Sequence, residues 1–350
     1  MQMTLGTSLA LLGVVVLALV ALQGWWRARR AAPRRAAAAA PEPDARVEPG
    51  LGALGDARPD EEGALATTAP RAALVRRSAR IDALIDAVVP LALEAPASGD
   101  FLLSHLPTSR RAGSKTLLIE GLDAESGEWA PPEPGRRYGE VQAAVQLASR
   151  SGALNEIEYS EFVQKVQAFA DAIGAVPDFP DMLEVVSRAR ELDAFAAPLD
   201  AQLAVTLRAN EVAWSVGYVQ QCAQRLGFVP GAVSGRLVLP AAEEGAPPLL
   251  VLSFDPQAAL AEQPQAAALR ECTLGLDVPQ SPEAAEPFPA WHNAARTLAD
   301  DMGATLVDDQ DQAVTLHAFA AIGTELQRIY RALETRDLAA GSPTARRLFG

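Results

Sequence analysis

The sequence predicts an α+β fold in which helices pack on one face of a mostly antiparallel sheet, preceded by an N-terminal transmembrane helix. Three observations support this prediction. Short apolar runs, bounded by Pro and Gly, indicate strands. Longer segments with apolar residues three and four positions apart indicate helices that bury one face. The stretch from Met3 to Trp26 contains no charged residue.

Residues 1–26 are predicted to form a transmembrane anchor, because an uncharged apolar stretch of this length can cross a bilayer as a helix. Trp25 and Trp26 stand where interfacial aromatic residues occur, and Arg27 opens an arginine-rich stretch directly after them. A cleaved signal peptide would place its positive charges first. By the positive-inside rule, we expect a bacterial inner-membrane protein that spans once, with a periplasmic N-terminus and a cytoplasmic C-terminal domain.

The segment after the anchor, residues 27–79, is predicted to be a disordered tether, since it is rich in Ala, Pro and Arg and has no aromatic residue. Up to Arg80 the chain has 11 basic and 7 acidic residues, whereas the remainder has 19 and 37. The body of the protein is therefore acidic. This charge argues against a nucleic-acid partner, because contacts to phosphates dominate that kind of binding.

The second half, residues 199–350, shows the clearest order of predicted elements. QLAVTLRA alternates as a strand, and a helix with an apolar face follows from Val212. GRLVLPA, PPLLVLSFD and RECTLGLDVP are three further strands. A second helix has an apolar stripe from Trp291 to Met302, with Gly303 as its C-terminal cap. The strand ATLVDDQ and the helix LHAFAAIGTELQRIYRALE complete the α+β domain.

The first half, residues 80–198, repeats this order in reduced form. LIDAVVPLAL is predicted as a strand, DFLLSHL as a short helix, KTLLIEGLD and GEVQAAVQLAS as strands, and EIEYSEFVQKVQAFADAIGA as a helix. Without gaps, Phe162–Ala175 aligns with Trp291–Ala304, and the apolar positions of the two helices coincide. Two interpretations stay open at this point: a degenerate tandem duplication, or one continuous domain.

A group of acidic residues near the end of the second helix raises the question of a metal or acid–base site: Asp300, Asp301, Asp308, Asp309 and Asp311. Metal ligands must converge, whereas adjacent residues diverge by about 100° on a helix and point to opposite faces of a strand. No dinucleotide fingerprint or P-loop spacing occurs. We expect a solvated turn, with no catalytic residues, no metal and no cofactor.

The two cysteines, Cys222 and Cys272, are isolated in sequence and lie among apolar residues. Their surroundings predict buried free thiols rather than a disulfide. Free thiols fit a reducing compartment.

Several short motifs, in their order along the chain, resemble the FtsZ-binding domain of the bacterial cell-division family ZipA. ARTLADDMGA is similar to the family's helix that ends in Ala-Asp-acidic-x-Gly-Gly, and LVDDQ to its strand that ends in Leu-Asp-Asp-Gln. RLGFVPG is similar to its Gly-Phe-x-x-Gly connection, CTLGLDVP to its strand ending in Val-Pro, and LVLSF to its Leu-Phe-Ser-Leu strand. The resemblance covers the anchor and residues 200–333.

This resemblance implies a split β-α-β domain over residues 199–350 that binds the C-terminal tail of FtsZ in a shallow apolar groove on the exposed sheet face. The protein would tether cytoplasmic FtsZ polymers to the membrane, with the lipid bilayer contacted through the N-terminal helix. Carried over by position, the groove strands offer six candidate residues for partner binding: Val233, Leu237, Val251, Ser253, Leu274 and Leu276. The alternative for each is a core position facing the helices.

The chain departs from the family pattern in the groove strands. Gly275 stands where a groove aromatic is expected, and AVSGRLVLP lacks the Asp, Met, aromatic and His residues of the family. These changes remove apolar anchor area.

Two alternative functions therefore stay open: a membrane-anchored scaffold that binds another division or envelope protein, and a membrane-anchored enzyme that uses the acidic cluster.

Overall fold

The computed structural model describes residues 80–260, 268–314 and 316–350, and the side chains of 316–318 are left out. The predicted anchor and tether, residues 1–79, lie outside the described residues. Among the described helices, none has the length and apolar character needed to span a bilayer.

The first half contains nine strands and three α-helices among its described residues. Its strands are β1 Asp86–Leu93, β2 Ala97–Ser98, β3 Arg111–Ala112, β4 Lys115–Asp123, β5 Trp129–Ala130, β6 Arg137–Gln146, β7 Ala148–Ser149, β8 Gly152–Ala153 and β9 Ala175–Pro177. Its helices are α1 Gly99–His105, α2 Glu156–Ile173 and α3 Met182–Ala196, and a 3-10 turn at Ala197–Leu199 leads into the second half.

The second half contains eight strands and five α-helices in the part that the structure describes. Its strands are β10 Gln202–Ala209, β11 Trp214–Ser215, β12 Val229–Pro230, β13 Arg236–Leu239, β14 Leu250–Ser253, β15 Ala268–Leu269, β16 Glu271–Asp277 and β17 Ala304–Val307. Its helices are α4 Val216–Arg225, α5 Pro256–Leu260, α6 Pro287–Met302, α7 Leu316–Glu334 and α8 Pro343–Leu348, with a 3-10 turn at Glu283–Ala285.

The two large sheets share one strand order. The first sheet runs β3-β4-β6-β1-β9, and the second runs β12-β13-β14-β16-β10-β17, with antiparallel neighbours throughout. The four strands β4-β6-β1-β9 thus have the same order as β14-β16-β10-β17. Two connecting helices correspond as well, since α1 and α4 follow the first of these strands in the chain, and α2 and α6 precede the last. The α+β class with antiparallel sheets is confirmed.

The helices α2 and α6 end in the same way, as their aligned sequences predicted. Gly174 closes α2 with φ 68°, and Gly303 closes α6 with φ 60°. A left-handed cap of this kind favours glycine, because a side chain would be strained there. In each case the chain turns directly into a short edge strand, β9 or β17.

The predicted apolar stripes of these two helices are buried in one continuous core: Phe162, Val166, Phe169 and Ile173 on α2, and Trp291, Ala295, Leu298 and Met302 on α6. The α6 helix is fixed to the sheet by a hydrogen bond as well, since Trp291 Nε1 donates to the carbonyl oxygen of Leu274 at 3.0 Å. The helices therefore cover one face of each sheet.

Several elements differ from the sequence prediction. The α4 helix begins at Val216, capped by the Ser215 hydroxyl, so Val212 lies before it and is 75% exposed instead of facing the core. The strand β17 ends at Val307, and the aspartates after it form a turn. The helices α3 and α8 were not predicted, although Asp181 caps α3 in the usual manner of an N-cap residue.

The two ends of the described chain meet on the first sheet, on the face away from α2. The backbone N–H of Ile81 donates to Glu120 on β4, and Arg347 in α8 donates to Asp86 on β1. Glu120 and Asp86 are buried as a result. The protein's own chain thus covers this face near Asp86 and Glu120, whereas Pro90 and Ala92 further along β1 are exposed.

Candidate functional site

The second sheet has one buried face and one accessible face, and β16 shows the difference most clearly. Cys272, Leu274 and Leu276 are buried, whereas the residues between them, Thr273 and Gly275, are half-buried. Successive side chains of a strand point to opposite faces of the sheet. We call the face that contains Thr273 and Gly275 the open face.

The strand register places an apolar row across the open face. Gly275 lies opposite Ala204 on one side and Val251 on the other, Val251 lies opposite Val238, and Val238 lies opposite Val229. Residues in direct register on neighbouring strands point to the same face. The apolar row is therefore Ala204, Gly275, Val251, Val238 and Val229, and Val229 at its end is 43% exposed.

A polar row runs beside the apolar row, two residues away on each strand. Thr206, Thr273, Ser253 and Arg236 are in register across β10, β16, β14 and β13. The hydroxyls of Thr206 and Thr273 lie 3.4 Å apart. Arg236 is exposed and forms no ion pair with any residue that the structure describes. The open face thus combines an apolar row, hydroxyl groups and one cation without a carboxylate partner.

Gly275 makes a shallow depression in the middle of the apolar row. A Cβ atom built at this position would meet the carbonyl oxygens of Leu203 and Val251, each at 3.7 Å, which is ordinary van der Waals contact. The backbone therefore tolerates a side chain at Gly275, and the absence of one leaves room for an apolar group of a ligand.

Ion pairs border the open face at both ends of β10 and β16. At one end, Arg150 from the β7–β8 turn contacts Asp200 at 2.6 Å and Asp277 at 2.8 Å. Burial by itself lowers the pKa of the Arg150 guanidinium, but its hydrogen bonds to the two aspartates raise the pKa overall. At the other end, Arg208 contacts Glu271 and Asp311. Both arginines are paired with carboxylates of this chain. We therefore take these two ion-pair clusters as the edges of the open face.

The six predicted groove residues fall in three places. Val251 and Ser253 lie on the open face, in the apolar and polar rows respectively. Val233 is 54% exposed in the loop between β12 and β13. The other three lie on the opposite face, buried under the helices: Leu237, Leu274 and Leu276.

The structure places these three leucines in the core, which was the alternative stated for each, instead of in a groove. Successive side chains of a strand point to opposite faces, and on β13 and β16 the leucines occupy the positions that face the helices. Leu274 is 0% exposed and contributes its carbonyl oxygen to the Trp291 hydrogen bond. Their neighbours Val238 and Gly275 occupy the open face instead.

Sequence reasoning also missed residues of the open face: Val229, Val238, Ala204, Thr206, Thr273 and Arg236. The strand CTLGLD did contain a usable signal, since it alternates Cys, Leu and Leu with Thr, Gly and Asp. This alternation indicates that the leucines face the core. In the strands RLVL and LVLS, apolar residues occur on both faces. The sequence therefore does not show whether the valines or the leucines face the core.

The acidic cluster forms turns and ion pairs. The Asp308 carboxylate accepts hydrogen bonds from the backbone N–H groups of Gln310 and Gln312, each at 2.9 Å. Asp301 pairs with Arg225 at 3.0 Å, and Asp311 pairs with Arg208. Within the residues described, no group of three or more His, Cys, Asp or Glu side chains is arranged to hold a metal ion.

Both cysteines are buried and free, as predicted. Burial, with a smaller contribution from nearby Cys222, raises the pKa of the Cys272 thiol to about 12. A thiol with so high a pKa is a poor nucleophile at neutral pH, because the thiolate is the reactive form.

Comparison with known proteins gives no family: no family model matches this chain, and no curated protein sequence is significantly similar to it. What the site can do is therefore argued from its geometry. Five neighbouring strands span about 19 Å, which is the length of about six extended residues. The apolar row is thus long enough for a short linear peptide that lies across the strands.

Proposed function

We propose that this protein is a non-enzymatic membrane tether whose open face binds a short linear peptide, namely the C-terminal tail of FtsZ. The proposal rests chiefly on the apolar row, Ala204 to Val229, on a sheet face that the helices leave accessible. The ZipA-like order of motifs in the sequence supplies the identity of the peptide. The uncharged segment 1–26 would supply the membrane anchor, and segment 27–79 the connection to the domain.

The chemistry of the open face favours a peptide with apolar anchors and an acidic group. Apolar side chains of the peptide would pack on Val238 and Val251 and enter the depression at Gly275, since burial of apolar area drives such contacts. A carboxylate of the peptide would meet Arg236, which has no carboxylate partner among the described residues. The hydroxyls of the polar row would hydrogen-bond the peptide backbone.

The tether would work by avidity, because a face of such small side chains binds one peptide weakly. An FtsZ polymer displays many tails, and proteins anchored in one membrane are confined near it. Each contact after the first is then effectively intramolecular, so the total attachment exceeds the affinity of a single site by orders of magnitude. Weak single contacts also allow the polymer to turn over.

The first half would have arisen by tandem duplication of the second, as the shared strand order β4-β6-β1-β9 and β14-β16-β10-β17 suggests. Its equivalent sheet face is partly covered by contacts from Ile81 and Arg347, near the two ends of the described residues 80–350. We therefore propose that the first half supports the second and leaves peptide binding to it.

A flotation experiment tests the function as a whole. The full chain is reconstituted in liposomes, mixed with FtsZ polymers from the same organism, and floated through a density gradient. FtsZ is expected in the liposome fraction, and FtsZ without its C-terminal tail is expected to remain at the bottom. Flotation of both forms, or of neither, contradicts the proposal.

A second candidate is a membrane scaffold that uses the same face for another division or envelope protein. The observation that favours it is the absence of large side chains in the apolar row, which contains Ala204, Gly275 and three valines. A pull-down from membranes with the full chain and its Val251→Asp variant distinguishes the two. A protein other than FtsZ that is lost with the variant would support this candidate.

A further inference from the structure

A cavity between the beginning of α6 and the middle of α7 has the features of a second binding site. Its volume is ≈ 480 Å³, and it lies on the helical side of the second sheet. Apolar walls are formed by Pro287, Phe288 and Leu326. Cavities of this size and lining bind small molecules or single side chains of a partner.

Tyr330 lines this cavity, and its phenol hydroxyl forms no hydrogen bond with the described residues. The residue is 6% exposed, and its hydroxyl oxygen has no hydrogen-bond partner among the described residues. A buried hydroxyl without a partner costs roughly 1–3 kcal/mol, so native structures rarely keep one without a reason. Burial raises the pKa of Tyr330, with nearby Glu283 adding to the effect, so the phenol stays neutral.

Two carboxylates lie at the mouth of the same cavity. Glu283 and Glu286 are both exposed, and neither forms an ion pair or side-chain hydrogen bond with a residue that the structure describes. Glu286 holds a left-handed backbone with φ 47°, which is uncommon for a residue other than glycine. The cavity therefore combines two unpaired negative charges, a neutral phenol and the ring of Phe288.

This combination selects an organic cation that carries an apolar group. A guanidinium is planar, donates several hydrogen bonds at once and packs on aromatic rings, whereas an ammonium is compact and strongly hydrated. Carboxylates accept charge-assisted hydrogen bonds from it. The Tyr330 oxygen can accept a further one.

We propose that the α6–α7 cavity binds an arginine side chain of a partner protein, presented in a linear segment with an apolar neighbour. The guanidinium lies between Glu283, Glu286 and the Tyr330 hydroxyl, and the apolar neighbour packs on Phe288 and Leu326. The site is independent of the open face, since it lies on the helices that cover the opposite side of the sheet. The protein would thus engage two linear segments at once.

The test uses the full chain in detergent micelles and a fluorescein-labelled pentapeptide, Gly-Leu-Arg-Leu-Arg, followed by fluorescence anisotropy. Its twin replaces both arginines with citrulline, which has the same shape and no charge. The arginine peptide is expected to bind saturably, and the citrulline peptide at least tenfold more weakly. No saturable binding of the arginine peptide, or equal binding of both peptides, overturns the proposal.

Matched variants separate this site from general attraction to an acidic protein. Glu283→Gln with Glu286→Gln should weaken binding at least tenfold. The control Glu184→Gln with Glu191→Gln removes the same charge from exposed positions of α3 and should change binding less than twofold. Equal losses in the two double variants overturn the proposal.

Tyr330→Phe separates binding from folding. Because the hydroxyl has no partner, the melting temperature should stay the same or rise, while binding of the arginine peptide falls several-fold. Thr324→Trp, at the exposed rim of the cavity, should block the peptide and leave the fold intact. Unchanged binding in both variants contradicts the assignment.

Discussion

The carboxylate of Asp86 on the first strand accepts two hydrogen bonds from the guanidinium of Arg347 in the last helix, at 2.6 and 2.8 Å. The Asp86 side chain is completely buried, and that of Arg347 nearly so. Arg347 also donates to the carbonyl oxygen of Arg80, and its own carbonyl oxygen accepts from Gln146. This pair joins the beginning and the end of the region from residue 80 to residue 350.

Arg347→Ala is expected to lower the free energy of unfolding by about 3 kcal/mol, because it leaves the buried Asp86 carboxylate without its cationic partner. Among the residues that the structure describes, the backbone N–H of Asp82 would be the remaining hydrogen-bond donor to this carboxylate. Arg328→Ala is the control, since Arg328 and Glu325 form an exposed pair that contributes at most about 1 kcal/mol. Urea unfolding of both variants measures the difference. Similar small effects in the two would show that the Asp86–Arg347 pair does not stabilise the fold.

Gly275→Leu is expected to weaken FtsZ-tail binding at least tenfold, because the leucine side chain fills the depression in the apolar row. The fold should accept it, since the added Cβ meets only carbonyl oxygens at van der Waals distance. Isothermal titration with the tail peptide gives the affinity, and thermal melting checks the fold. Tighter or unchanged binding with an intact fold would place the peptide elsewhere.

Leu274→Asp is expected to prevent folding, because it buries a charge beneath Trp291 in the core. Val251→Asp changes a half-buried position of the open face and should leave the melting temperature within a few degrees. Circular dichroism melting compares the two variants. A folded Leu274→Asp protein would contradict the assignment of the two sheet faces.

Asp123 should stabilise the fold in a defined range of acidic pH. Hydrogen bonds from the backbone N–H of Ser126, the Arg136 guanidinium and the N–H of Glu125 lower the pKa of Asp123 to about 2 from an ordinary value of 3.8. A lowered folded-state pKa means that this stabilisation is fully present above pH 3.8 and is lost as the pH falls through 2.

Asp123→Asn should therefore lower the free energy of unfolding at pH 6 and have much less effect near pH 2. Urea unfolding across that range measures the dependence, with Asp300→Asn as a control at an exposed position of α6. An effect of Asp123→Asn that is the same at pH 6 and pH 2 would refute the electrostatic explanation.

The native cysteines should be inert towards a thiol reagent at pH 8, because both are buried and the pKa of Cys272 is raised to about 12. Ser253→Cys places a thiol on the open face, where it should react quickly and be protected by bound FtsZ tail. Absorbance of the released thiolate follows both reactions. Rapid reaction of the unmodified protein would show that the core opens more readily than its burial implies.

For the second half, the sequence predicted the positions of the helices and strands better than it predicted which face of each strand is buried. Helix ends at Gly174 and Gly303 were recognisable, because a left-handed cap requires a particular residue type. The buried face of β13 was not recognisable from the sequence, since Leu237 and Val238 are both apolar. Pairing with β14 decides which of the two is buried. The α8 helix and its Arg347–Asp86 contact depend on residues 261 positions apart, which local patterns do not reveal.

The most direct test of the central claim is fluorescence anisotropy of a labelled FtsZ C-terminal peptide, titrated with the full chain and with its Val251→Asp and Val176→Asp variants. Val176 is an exposed valine on β9 of the first sheet, so its variant makes the same chemical change away from the open face. We expect saturable micromolar binding that is lost with Val251→Asp and kept with Val176→Asp. Absence of binding by the folded chain at hundreds of micromolar, or equal behaviour of the two variants, would contradict peptide binding at the open face.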